Sequence, residues 1–199
     1  MTEEEYLEYD RTHDGKREFV NGELIDMAGA SEAHGLVVGN LFFAIKTRLR
    51  GGACRAFVAD MRVRIDETGL YAYPDIVVVC GKAEFAPTRP ESLLNPSMVV
   101  EVLSPTTAGY DRGAKLEHYR RRPSIRAILL VDSVERRMTR YIRNADDTWT
   151  LADHLDGTVP IGPLELELSM DEIFEGTEEA MARAAADADA PAMRAPLRP

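Results

Sequence analysis

The sequence predicts an α/β (α+β) fold, a mixed β-sheet flanked by helices. Three observations carry this. YPDIVVVC at 73–80 and SMVVEVL at 97–103 are almost continuous valine-rich runs, as expected of strands covered on both faces. Residues 34–50 place apolar side chains every three to four positions, the period of a helix with one buried face. DMRVRID at 60–66 alternates, the period of a half-buried strand.

The elements follow in order. Thr2 to Tyr9 reads as a short surface helix, with Thr2 as its cap and Glu5 completing a capping box. REFVNGELIDM reads as two strands joined by Asn21-Gly22, a pair that favours a two-residue hairpin turn. The helix from His34 to Arg50 buries Val37, Leu41, Ala44, Ile45 and Leu49, and Gly51-Gly52 ends it. In DMRVRID the alternation turns Met61, Val63 and Ile65 inward and Arg62, Arg64 and Asp66 outward; Asp60 reads as a cap on the turn before. A loop with Pro87, Pro90 and Pro96 separates the two valine strands. After SPTTAGYD a helix is expected from Asp111 to Arg122, stopped by Pro123. AILLVD is another buried strand, RMTRYIRN and TWTLAD form a meander at the sheet edge, and MDEIFEG is a short helix capped by Ser169. One domain is expected over residues 1–177, followed by a frayed helix and a disordered tail over 178–199.

Composition narrows the function. The 199 residues carry a net charge of -10, distributed as -6 over 1–30, 0 over 31–110, +6 over 111–143 and -10 over 144–199. Such acidity argues against a tight, general DNA binder, while the +6 segment leaves room for a local, transient nucleic-acid contact. Two cysteines, Cys54 and Cys80, exclude a disulfide scaffold, and neither sits in a C-x-x-C pair that would hold zinc. The start is acidic, and the purely apolar runs fall far short of the ~20 residues of a membrane span, so a cytoplasmic protein without membrane contact is expected. A nucleophile elbow, a P-loop and a dinucleotide fingerprint are absent from the sequence.

Two acids stand out. Asp75 follows Pro74 and opens a buried strand, and Glu101 interrupts MVVEVL. A carboxylate inside an apolar strand is costly unless it is paired or binds a cation. Two readings therefore compete for Glu101: a buried ion pair with an arginine, or convergence with Asp75 on a divalent ion. All-oxygen ligands favour magnesium, manganese or calcium over zinc. On the following helix Asp111, Lys115, His118 or Tyr119, and Arg122 share a face, which directs Lys115 toward the acids. Asp111 reads first as the helix N-cap, and Tyr119 first as a core ring with a wet hydroxyl.

YPDIVVV, EVLSPTT and YDRGAKLEHY, in that order, resemble the PD-(D/E)XK nuclease superfamily, and most closely its Uma-two family of bacterial endonucleases. The resemblance also takes in REFVNGELIDM and His34 and spans about residues 1–175. It implies a restriction endonuclease-like fold and Mg2+- or Mn2+-dependent hydrolysis of phosphodiester bonds in nucleic acid, with DNA the first expectation. It implies Asp75 and Glu101 as catalytic metal ligands and Lys115 as the catalytic lysine. The superfamily lysine normally stands two residues after the second acid, where this chain has Leu103. In the resembling family it has moved to the next helix. Glu18 matches the additional N-terminal acid, with Glu23 a competing candidate. His34 is either a polar cap or a supporting group beside the metal, and Tyr119 a second supporting candidate. Arg112, Arg120, Arg121 and Arg122 are the candidates for phosphate contacts, which supply affinity rather than sequence preference. A homodimer pairing through the exposed alternating strands near RMTRYIRN would suit a duplex substrate. The alternative function is a catalytically degenerate binding or structural module on the same fold, and a third is hydrolysis of another phosphorylated or ester substrate.

Overall fold

The computed structural model describes residues 1–27 and 29–189. Its centre is a mixed sheet whose strands are β3 (Cys54–Val58), β6 (Ile76–Cys80), β9 (Met98–Leu103), β10 (Ala127–Asp132), β11 (Met138–Arg143) and β12 (Trp149–His154), with spatial order β12-β11-β10-β9-β6-β3. β9 and β10 are parallel, and the other neighbours antiparallel. The valine runs occupy the middle, and both of their faces are covered. One face carries Ile76, Val78, Met98 and Val100 against Val37, Leu41 and Ile45 of α2 (Glu32–Arg48). The other carries Val77, Val79, Val99 and Leu103 against a second sheet and the helix that follows β9. Continuous rather than alternating hydrophobicity is the sequence trace of this double covering.

The second sheet has the order β2-β1-β5-β4-β8-β7. β1 (Arg17–Val20) and β2 (Glu23–Asp26) form the expected hairpin. Asn21 and Gly22 both have positive φ, 52° and 89°, as a two-residue turn matched to strand twist requires. β4 (Arg62–Ile65) pairs with β5 (Leu70–Ala72) on one side and β8 (Ser92–Leu93) on the other, and β7 (Phe85–Ala86) closes the edge. Packed beside them, α1 (Glu3–Thr12) has the expected Thr2–Glu5 capping box, and its Tyr6 stacks on Phe19.

Several expectations are corrected. Arg62 does not point outward: it is wholly buried, because β4 has covering on both faces. The alternation of β4 shows its pleat but not what lies over its second face. β11 lies between β10 and β12, and β12 is the outer strand at this end of the sheet. α2 starts at Glu32, with the Ser31 hydroxyl accepting from His34 N, so His34 lies in the first turn instead of opening the helix. β3, β5, β7, β8 and the hairpin of β13 (Thr158–Ile161) and β14 (Leu166–Ser169) went unread, being short or, for β13 and β14, split around Gly162-Pro163. Cys54 and Cys80 face each other across β3 and β6 and form a disulfide. Ser169 precedes α5 (Met170–Ile173) but makes no side-chain cap bond. Residues 178–189 form α6 (Glu178–Asp189), with Ala180 buried and Met181 packed on the first core. The tail expected to be disordered, from residue 190 on, lies outside the described residues. No helix among the described residues is long and apolar enough to cross a membrane.

Candidate functional site

The site grows from the register of β6 and β9. Ile76 stands opposite Val100 at the end of this ladder, and Asp75 and Glu101 are the residues just before Ile76 and just after Val100. Asp75 is fixed on both oxygens. Oδ2 accepts from Val102 N at 2.7 Å, and Oδ1 lies 3.3 Å from His34 Nε2. The first turn of α2 is thereby tied to the end of the strand.

Glu101 lies inside the fully buried β9, and Lys115 reaches it from the next helix. That helix does not begin at Asp111. It runs as α3 (Ala108–Tyr110), a π turn over Asp111–Lys115, then α4 (Leu116–Arg121). A π turn accommodates an extra residue in the helical ladder and often marks a functional site. Here it turns both Asp111 and Lys115 inward while Leu116 and Tyr119 keep their places in the second core.

The Lys115 ammonium is held by three carboxylates: Glu18 Oε1 at 2.7 Å, Glu101 Oε1 at 2.9 Å and Asp111 Oδ1 at 3.4 Å. Tyr119 donates its hydroxyl to Glu101 Oε1 at 2.6 Å, and Tyr73 N donates to Glu18 Oε1 at 3.2 Å. Burial raises the Glu101 pKa to about 8; the Lys115 charge opposes this, and Asp111, Asp75 and Glu18 reinforce it. Burial works against the charged form of Lys115, but the three acids outweigh it and hold the amine well above its usual range, so it remains an ammonium. Asp111 is raised, chiefly by burial. At His34, burial pulls the pKa down, while the hydrogen bond and charge of Asp75 raise it further, for a net increase.

Six candidates therefore meet: Asp75, Glu101, Lys115, Glu18, His34 and Tyr119. Between the two N-terminal acids, Glu18 is buried in the cluster and Glu23 is exposed. Two expectations change. Asp111 is not an N-cap, because the helix starts three residues earlier; its side chain is buried against Lys115. The Tyr119 hydroxyl is not wet, because Glu101 takes it. Leu103, at the usual lysine position, is packed in the second core. The arginines are not gathered into the site. Arg112 pairs with Asp132 at 2.9 Å, Arg120 with Glu117 at 2.7 Å and Arg122 with Glu67 at 3.2 Å, while Arg121 is exposed. Asp60 pairs with Lys16 at the surface. Tyr73 and Tyr110 were not anticipated; both border the site, and a tyrosine beside a motif carries no periodic signal.

Asp75, Glu101, Lys115, Glu18, His34 and Asp111, with Tyr73 and Tyr110 but not Tyr119, line a cavity of about 350 Å³, walled also by Ile25, Met27 and Val38. Five acidic residues (Glu18, Asp26, Asp75, Glu101, Asp111) border it against one lysine and one histidine. Hard oxygen donors with surplus negative charge suit a divalent cation such as magnesium or manganese. Among the described residues no three His, Cys, Asp or Glu side chains already stand in ligating geometry, because Lys115 draws three of the acids to itself.

Comparison with known proteins gives a consistent picture. Residues 3–172 match the family model Uma2, described as "Putative restriction endonuclease". Two proteins from Synechocystis sp. are similar over most of their length. The uncharacterized protein sll1609 is 34% identical over 153 residues, covering 77% of this chain and 86% of its own. The uncharacterized protein slr1290 is 30% identical over 177 residues, covering 88% and 92%. Among solved structures, a "putative nuclease belonging to DUF820" from Anabaena variabilis superposes with a TM-score of 0.70 at 18% identity, covering 89% of this chain and 99% of that one. At that identity the likeness concerns the fold.

Proposed function

The chain belongs to the Uma2 family, and from that premise we propose that it is a nuclease, a metal-dependent phosphodiesterase acting on nucleic acid. One observation carries the reading: the carboxylates of Glu18, Asp75, Glu101 and Asp111 and one buried ammonium share the floor of a single cavity. A buried surplus of acid without a purpose would be a stability cost, and this one sits where a ligand can reach it.

Asp75 and Glu101 would hold a magnesium or manganese ion, with Glu18 and Asp111 adding negative charge nearby. Such an ion, when bound, lowers the pKa of a water and offsets charge on phosphoryl oxygens. The chain's own groups do the rest. Lys115 keeps its proton and presents positive charge to the oxygens of a phosphate entering the cavity, where it counts most as the bond to the leaving oxygen breaks. His34 and Val102 N fix the Asp75 carboxylate, and Tyr119 fixes Glu101. The net reaction adds water across one P–O ester bond and yields a phosphomonoester and an alcohol.

Cleavage of labelled oligonucleotides should require added manganese or magnesium and stop with a chelator. Calorimetry should show saturable manganese binding that Asp75→Asn weakens. A chain that binds no manganese and cleaves nothing would be the degenerate module instead.

A further inference from the structure

The cavity constrains which phosphodiester can reach the acids. Its volume is about 350 Å³, near the low end of small-molecule pockets. Glu18, Glu101 and Lys115 are almost wholly buried, so the reacting phosphate must come inside to meet them. The walls do not resemble a duplex cradle. Ile25, Met27 and Val38 are apolar, and Tyr73 and Tyr110 add two rings. Such surfaces suit an unstacked base, which binds by stacking and apolar contact.

The charge pattern agrees. Among the described residues the only cations lining the cavity are Lys115, already held by three acids, and His34. Arg112, Arg120 and Arg122 are paired with carboxylates outside it. A protein that grips a duplex backbone needs a row of free cations.

We propose that the site takes a phosphodiester from an unpaired nucleotide, a single strand or a strand end entering the cavity, rather than from the backbone of an intact duplex. The proposal rests on the phosphodiesterase reading above and names its substrate class.

The test uses the full chain with manganese and three end-labelled substrates of one sequence, each as DNA and as RNA: a single strand, a blunt duplex, and a duplex with a single-stranded tail. The single strand should be cut at least about tenfold faster than the duplex, and the tailed duplex only in its tail. Raising salt from about 50 to 200 mM should slow single-strand cleavage by less than about tenfold, against a thousandfold or more for a protein making six to ten phosphate contacts. Duplex cleavage at a comparable rate, or cuts within the paired region, would overturn the proposal and leave the phosphodiesterase reading standing. Bis(4-nitrophenyl) phosphate, small enough for the cavity, separates the two. If neither it nor any oligonucleotide is hydrolysed, the phosphodiesterase reading fails and this proposal with it.

Discussion

Arg62 and Lys115 are both buried cations, 0% and 4% exposed, and their surroundings are opposites. Arg62 meets one carboxylate among the described residues, Asp10 at 2.6 Å. Its remaining donors go to Ser92 at 2.8 Å, Thr88 at 3.3 Å and the Pro90 carbonyl, and the rings of Tyr6 and Tyr71 lie within 6 Å. Tyr73 donates to the same Asp10. Charge and hydrogen bonds balance, and the cluster ties α1 to β4 and the 87–92 loop. Lys115 meets three carboxylates, with Asp75 close by and a cavity alongside. A balanced buried pair holds elements together. An unbalanced one waits for a counter-charge, and that difference separates architecture from a site.

The comparison can be broken most decisively through activity. Asp75→Asn or Lys115→Met should lower manganese-dependent cleavage by about 10³-fold or more, the scale of losing a main electrostatic contributor. Circular dichroism at the same time should show Asp75→Asn folded. Full cleavage by either variant would place the chemistry elsewhere.

Arg62→Met should do the reverse. It strands Asp10 and several acceptors, so chemical denaturation should show a loss of about 3–5 kcal/mol. Where the variant remains folded, manganese binding should persist.

A third test uses pH. Glu101 has a folded-state pKa of about 8, above its unfolded value, so the folded state binds the extra proton. Stability then falls as pH rises from about 5 toward 8, and the raised pKa values of Asp111 and His34 act in the same direction. The thermal midpoint should drop across that window in the metal-free protein. Glu101→Gln should flatten the drop, and manganese should reverse part of it; a rising midpoint would contradict the buried-acid picture.

The smallest effect is expected from Tyr119→Phe, which removes the 2.6 Å bond to Glu101 while keeping the ring in the core. A loss of about 1–2 kcal/mol and less than tenfold in rate would fit a positioning group. A much larger rate loss would give this hydroxyl a place among the reacting groups.

The two clusters also differ in what the sequence revealed. Around Lys115, residue order sufficed: an acid after Pro74, an acid inside a valine strand, and a lysine four residues after an aspartate. Valine runs fix strand burial, and burial makes an embedded acid conspicuous. The π turn was not legible, because helical periodicity counts positions and says nothing of an extra residue in the ladder. For the same reason Asp111 read as a cap. Around Arg62 the sequence misled, since alternation reads as a solvent face whenever the covering comes from distant segments such as α1 and the 87–92 loop. β3, β5, β13 and β14 escaped because three to five residues are too few to establish a period.

The π turn has one more consequence. An α-helix advances about 100° per residue. The surplus residue between Asp111 and Lys115 therefore acts as an angular offset between the approach from β9 and the packed face of α4. Excising Gly113 would leave every side chain of the cluster in the chain, yet shorten the spacing of Asp111 and Lys115 from four residues to three and remove the surplus residue that sets the offset. In this protein the aim of the charged groups is encoded in a count of residues as much as in their identities.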